Sequence, residues 1–396
     1  MNIKFKNILL VILFILFIII IYNSCYVDNF ISIKNNIILN KNNFIIYPIR
    51  ESKLYNLNNL RNIYKKFRTD ALIYVKFDPS TIKIETELNL PNIYVQNTSE
   101  CRGCVKDKSG NALSEKLLVN IRNIIKLLLD NLNSTVICNE TQIIDYKNNL
   151  KDIIIYLSTN NAYTKTYNLH IYKNYQGQLF LNFSYLPVFL QAYIISYNIF
   201  NNNQKNIVNK YIKSIYLLIR NEMMKRPNNW KIGFGRNSIL CGYILNDKKI
   251  YNDGIDIFEY ACKEIDINSG LFLTEMTRGN LNFVYNIKTA NFVCDLYYFI
   301  KNTSNINFNN NIFDYIKSFS NVIASTAFKN TVKKIIIEDN IYEQYAKMKQ
   351  ENVRKGLLNF LLYDFVYKQL NDENKKNIDN LMLDNSVAFN PFLIGP

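Results

Sequence analysis

Arg226 to Gly242 reads RPNNWKIGFGRNSILCG. The stretch holds Trp230, the only tryptophan, with three of the eleven glycines and three asparagines. It separates two segments of helical period, and its glycines give it the look of a loop joining them. Such a loop lines a cleft with amide donors from Asn228 and Asn229 and with an aromatic platform at Trp230. It equally suits a tight connection between helices with Trp230 in the core. A second stretch, Asn268 to Tyr285, reads NSGLFLTEMTRGNLNFVY, again joins helical segments, and carries Glu275, Arg278 and Tyr285.

The flanks set the fold class. Ser114 can cap a helix that carries Leu117, Leu118, Ile121, Ile124, Ile125 and Leu128 on one face. Residues 185–200 and 205–225 repeat that period, and 253–265, 285–300, 341–350 and 353–370 read as further helices. Short β-like runs interrupt them at Ile153 to Leu157, Leu179 to Phe183 and Lys334 to Ile337. Two alternating runs around Asp78-Pro79-Ser80, Leu72 to Phe77 and Ile82 to Leu88, predict a hairpin. Helices joined by short polar loops give a bundle, a solenoid or a closed α/α toroid. No repeat of fixed length is visible, which weakens the solenoid.

The chain starts with Lys4 and Lys6, then an apolar run from Ile8 to Tyr22. As a helix this run spans roughly 22 Å, short of the roughly 30 Å hydrocarbon core. Phe5, Cys25, Tyr26 and Val27 can extend it while the lysines snorkel. No small-residue cleavage site follows, so an anchor is favoured over a cleaved signal. The basic start predicts the bulk of the chain on the non-cytoplasmic side. The expected organisation is a membrane anchor over 1–27, a stalk over 28–66 and a helical ectodomain over 67–396.

The net charge of +15 suits a polyanion partner. An Asn-, Ile- and Lys-rich composition also raises lysine without any function. Placement outside the cytoplasm argues against nucleic acid and favours an acidic glycan, with anionic lipid as the other polyanion. Cys101 and Cys104 form a C-x-x-C; outside the cytoplasm, disulfide bonding among Cys101, Cys104 and Cys138 is expected rather than zinc. Cys241, Cys262 and Cys294 fall on apolar helical faces as buried thiols. N-x-S/T sequons begin at Asn97, Asn133, Asn139, Asn182 and Asn302, in keeping with export. Phosphate-loop, dinucleotide, zinc-protease and serine-hydrolase motifs are absent, and no metal or cofactor is expected. His170, the only histidine, sits in a strand-like Leu169-His170-Ile171 and reads as structural.

The order of the two stretches resembles the polysaccharide lyase family 8 toroids, the chondroitin and hyaluronan lyases. Within that range it looks like the envelope members carried by occlusion-derived virions of baculoviruses and nudiviruses. The family's N-x(4)-G-x-P loop is matched by Asn228 to Gly235, with Gly235 where proline is usual. Leu186-Pro187-Val188-Phe189-Leu190, Cys241 to Leu245, Asp253-Gly254-Ile255, Gly270-Leu271 and Leu296 to Phe299 keep the family's order. The likeness covers roughly residues 110 to 335. It implies a mainly α fold: an incomplete α/α toroid with a few short strands on an N-terminal transmembrane helix, without the family's C-terminal β domains.

The resemblance also implies roles. Asn228 or Asn229 would neutralise a uronate carboxylate, Tyr285 would move the C5 proton, and Lys329 stands near the expected arginine. The expected histidine falls on Glu275 or Asn280, neither a histidine. Trp230, Arg236, Glu275, Arg278 and Asn280 are the expected substrate contacts. The favoured expectation is a viral envelope protein with a degenerate, glycan-interacting lyase cleft, neighboured by other envelope proteins. An active glycosaminoglycan lyase and a helical protein–protein adaptor are the alternatives. Convergence of Asn228 or Asn229 with Tyr285 and Lys329 separates the lyase-derived readings from the adaptor.

Overall fold

A computed structural model of the chain describes residues 76–78, 93–96, 104–107, 113–132, 138–164, 181–266, 270–278, 282–306, 332–337 and 340–345. The expected anchor, the stalk, the helix over 353–370 and most of the hairpin around Asp78 lie outside them. Among the described residues no helix is long and apolar enough to cross a membrane.

The described chain is mainly helical. Its first element is a hairpin of β1 (Ile93–Gln96) and β2 (Cys104–Asp107), antiparallel with Gln96 opposite Cys104. Helix α1 (Leu113–Leu132) buries the expected apolar face from Leu117 to Leu128. In α2 (Glu140–Thr159), Asn139 forms a capping box with Gln142. The run Ile153 to Leu157, read as β-like, lies inside α2. Its isoleucines favour a strand locally, but Leu150, Ile153, Ile154 and Leu157 recur at helical spacing and are all buried, so tertiary packing decides.

A single π turn, Leu181–Tyr185, leads into α3 (Leu186–Ser196). This replaces the strand expected from Leu179 to Phe183. Pro187 starts α3 in the first turn, where its missing N–H costs nothing. Every residue of α3 is buried, as suits a helix that is apolar all round. Helix α4 (Asn202–Met224) carries a second capping box, Asn201 with Gln204. The buried Asn182 occupies a sequon but is inaccessible to glycosylation.

Helix α5 (Asn229–Leu245) corrects the reading of the opening stretch. From Ile232 to Ile244 every residue is buried, and α5 packs against α4, α6 (Lys248–Lys263) and α8 (Asn282–Thr303). Its glycines are contact points rather than breaks. A Cβ on Gly242 would lie 2.6 Å from Tyr251 Cα, so α6 comes backbone-to-backbone with α5 there. The turn between them places Asn246 in the left-handed region (φ 51°), and Asp247 caps α6.

Polar pairs lock this packing. Arg220 grips Asp253 with two contacts of 2.6 Å, and Tyr216 donates to the same carboxylate at 2.7 Å, tying α4 to α6. Cys241, Cys262 and Cys294 are buried thiols, each pushed up in pKa chiefly by desolvation. A last hairpin pairs β3 (Val332–Ile337) with β4 (Asn340–Tyr345), which lies against α8 and the short helix α7 (Leu273–Met276). The expected helix over 341–350 is therefore a strand at Asn340–Tyr345. The Ile-rich β3 pairs with it, and that pairing satisfies backbone groups a lone strand would leave open.

Gly242→Ala tests the close approach. Alanine gains about 1 kcal/mol of helix propensity. Its methyl group meets backbone that cannot swing aside, an overpacking cost of about 1–3 kcal/mol. With the clash at the upper end, a net loss of about 2 kcal/mol is expected in denaturant unfolding; a stabilised variant would contradict the packing.

Candidate functional site

The unusual polar residues of the two stretches meet at the N-terminus of α5. Asn228 is its N-cap, and its Oδ1 accepts from the Trp230 N–H at 3.1 Å. That leaves Asn229, 4% exposed, whose Oδ1 has no hydrogen-bond partner among the described residues. A buried carbonyl left unpaired costs about 1–3 kcal/mol, which makes it a position to explain by use.

The loop after α6 brings Glu275 to this helix end. Ile265 bridges to Phe272, and Gly270 turns the chain at φ 69°. Asn286 on α8 accepts from the Phe272 N–H at 2.8 Å and donates to Asn282 O at 3.0 Å, fixing the start of α7. Glu275, with 0% exposure, then accepts from the Asn229 N–H at 2.8 Å. Its other oxygen lies 3.3 Å from Arg278 Nε. The Arg278 guanidinium sits 4.9 Å from the centre of the Tyr285 ring, and Lys288 Nζ lies 5.4 Å from the same ring. Burial raises the Glu275 pKa, while the Asn229 N–H and Arg278 oppose the shift.

Aromatic and cationic groups surround the cluster. Arg226 lies 4.9 Å from the centre of the half-buried Trp230 ring, and Lys231 Nζ 4.1 Å from that of Tyr260. Tyr260 donates to Pro227 O at 2.6 Å, and burial, with Glu264 and Glu275 nearby, pushes its pKa up to about 12. Behind Trp230, Asn182 donates to the Trp230 carbonyl at 3.1 Å and Asn237 holds Asn182 at 2.8 Å. This arrangement can engage an anion through Arg278 and an amide, move a proton through the Tyr285 hydroxyl, and stack a flat apolar face.

The structure thus groups Asn228, Asn229, Trp230, Glu275, Arg278 and Tyr285. Lys329, Asn280, His170 and Cys101 lie outside the described residues. Cys138 is half-buried just before α2, and its pairing with Cys101 or Cys104 stands as a proposal. Arg236 is a correction: expected at substrate, it is 1% exposed, pairs with Asp295 at 2.8 Å and stacks on Phe292 at 4.2 Å. Its neighbours in sequence suggested a loop, but it faces α8 from mid-helix. Tyr260, Lys231 and Lys288 escaped sequence reading, since in so lysine- and tyrosine-rich a chain nothing marks them out.

The helical architecture is similar to that of alginate lyase A1-III, a polysaccharide-lyase-like fold, and fits an α/α toroid. Solved structures of alginate lyase A1-III align with the chain. The apo form of a histidine-to-alanine variant aligns with a TM-score of 0.54 at 13% identity, covering 86% of this chain and 93% of that one. The enzyme from Sphingomonas species A1 aligns with a TM-score of 0.42 at 15% identity, over 84% of this chain and 81% of that one. No protein-family model and no curated protein sequence matches the chain.

Arg236→Met tests the assignment of Arg236 to the core. Asp295 would be left buried without its cation, a loss of about 3–5 kcal/mol at neutral pH. Burial already pushes Asp295 up to about 6. The native state therefore holds a proton that the unfolded chain releases, so stability from this group falls as pH rises through that range. Unfolding measured from pH 5 to 8 should show the deficit of the variant growing with pH. A deficit independent of pH would contradict the assignment.

Proposed function

We propose that this chain is a glycan-interacting protein of the polysaccharide-lyase type, with a site for an acidic, uronate-containing polysaccharide. The observation that carries the reading is the cluster of Asn229, Glu275, Arg278 and Tyr285 at the start of α5. A uronate carboxylate would meet the Asn229 amide and the Arg278 guanidinium, a charge-assisted contact. Trp230 and Tyr260 offer sugar-stacking faces, and Arg226, Lys231 and Lys288 give the rim a positive field suited to a polyanion. The fold shared with alginate lyase A1-III supports the same substrate class.

A second reading, an active lyase, is favoured by the placement of Arg278 on Tyr285. Neutralising the carboxylate acidifies the C5 proton. As a phenolate, the Tyr285 oxygen would take that proton, the electron pair would form the C4–C5 double bond, and the C4–O bond would break. The Tyr285 hydroxyl so formed would then return the proton to the leaving oxygen. Among the described residues no histidine belongs to the cluster, and the resemblance puts Glu275 or Asn280 where a histidine is expected, so we rank binding with weak or lost turnover first. The basic start and apolar run of residues 1–27 support a membrane-anchored form with the bulk on the non-cytoplasmic side. The resemblance drawn from the sequence supports a virion envelope as its setting, with other envelope proteins as neighbours.

The test is calorimetric binding of alginate, chondroitin and hyaluronan oligosaccharides, with absorbance of the unsaturated product followed in parallel. Asn229→Ala should weaken binding about tenfold, the size of one lost charge-assisted hydrogen bond. Tyr285→Phe should keep binding and remove any turnover. Binding should weaken with salt, since exposed charges are screened. If no acidic glycan binds, or carboxyl-reduced oligosaccharides bind equally well, the reading fails.

A further inference from the structure

We propose that Glu275 is the positioning residue of this site: one buried carboxylate sets both the amide-bearing end of α5 and the guanidinium of Arg278 against an acidic ligand. The proposal rests on the functional reading above. It goes beyond that reading by naming a residue that touches no substrate yet decides whether a carboxylate is recognised.

Three observations carry it. The first is burial. At 0% exposure Glu275 cannot meet a glycan, and its charge would repel a uronate carboxylate. A buried carboxylate persists only where it is paired and hydrogen-bonded. The second is the division of its two oxygens. Oε1 takes the Asn229 N–H at 2.8 Å, and the other oxygen lies 3.3 Å from Arg278 Nε. Capping alone does not explain this, because the Asn228 side chain already caps α5 through the Trp230 N–H. The third is the source of its precision. Glu275 sits on α7, whose start is held by the fully buried Asn286 of α8. Helices α5 and α8 therefore both register on one carboxylate.

The consequence lies in Arg278. Its side chain is 34% exposed and carries five N–H donors on a planar fork. The 3.3 Å ion pair of Nε with Glu275 Oε2, an oxygen that makes no hydrogen bond among the described residues, restricts the side chain while leaving donors for a second carboxylate. The Tyr285 ring, 4.9 Å from the guanidinium, braces it from the other side. An arginine held this way loses little rotamer freedom on binding, which favours affinity. Without Glu275 the guanidinium would be a tethered, solvated cation that attracts any anion weakly.

Glu275→Gln is the main variant, because glutamine keeps an acceptor for the Asn229 N–H and removes the charge that holds Arg278. The full-length chain is used, with two readouts. In the first, the Arg278 Nε–H signal is followed by NMR in the ligand-free protein and assigned with Arg278→Lys. It should move and exchange faster in the glutamine variant; an unchanged signal overturns the proposal whether or not glycan binds. In the second, affinity for a uronate oligosaccharide is compared with affinity for its methyl ester. Glu275→Gln should lose about tenfold for the acid and little for the ester. Equal losses for both would mark a merely structural role and overturn the proposal.

Arg278→Gln covers the case in which the first variant does not fold. It should lower the acid-to-ester ratio as far as Glu275→Gln does, and the double variant should be no worse than either single one. Additive losses overturn the proposal. So does an acid-to-ester ratio left intact by Arg278→Gln. If the wild type binds no acidic glycan while the Nε–H signal still moves, the functional reading fails and the positioning contact stands.

Discussion

The backbone contact between α5 and α6 at Gly242 and Tyr251 sets the terms for the rest of the described fold. Two helices that approach this closely, with α4 and α8 also packed on α5, bury it at every residue from Ile232 to Ile244. Polar groups on α5 must then find partners inside the protein or remain unsatisfied. Arg236 finds Asp295, Asn237 finds Asn182, and Ser238 lies 3.2 Å from the Tyr216 hydroxyl. The N-terminus of α5 has the same demand, and Glu275 meets it. The candidate site is therefore an outcome of helix burial: a central helix needs an acceptor at its positive end, and the acceptor brings an arginine and a tyrosine with it.

That arrangement also separates residues that support from residues that meet a ligand. Asn228 Oδ1 and Glu275 Oε1 are engaged by backbone N–H groups, and Glu275 Oε2 is ion-paired with Arg278 without a hydrogen bond. Arg278 and Tyr285 are half-buried, so part of each is open to a ligand beside the start of α5. Trp230 and Tyr260 each pair with a cation, Arg226 and Lys231, so stacking faces and charge come together along the rim. An acidic sugar polymer presents flat apolar ring faces beside regularly spaced carboxylates, and this rim offers the complement of both.

Much of this was legible in the sequence, and the misses share a physical cause. Periodic apolar residues located α1, α4 and α6, because each has one buried face. Helix α5 was hidden because its glycines imitate a loop; α3, buried at every residue but free of glycine, was still legible within 185–200. The strand-like Ile153 to Leu157 failed for the converse reason: β-branched residues sit in α2 because four of its positions point into the core. Glu275, Arg278 and Tyr285 stood out as charged and aromatic residues within one short stretch. Arg236 stood beside them in kind but not in space, and burial within a helix cannot be read from a residue's charge. Tyr260 and Lys231 gave no signal, because their meaning comes only from α6 lying beside the start of α5.

The most direct measurement is a crystal structure of the chain with a short uronate oligosaccharide bound. The account predicts a sugar carboxylate between the Asn229 amide and the Arg278 guanidinium, the Tyr285 hydroxyl facing C5 of that residue, and a neighbouring ring against Trp230 or Tyr260. An oligosaccharide bound elsewhere on the chain, with Asn229 and Arg278 untouched, would contradict it.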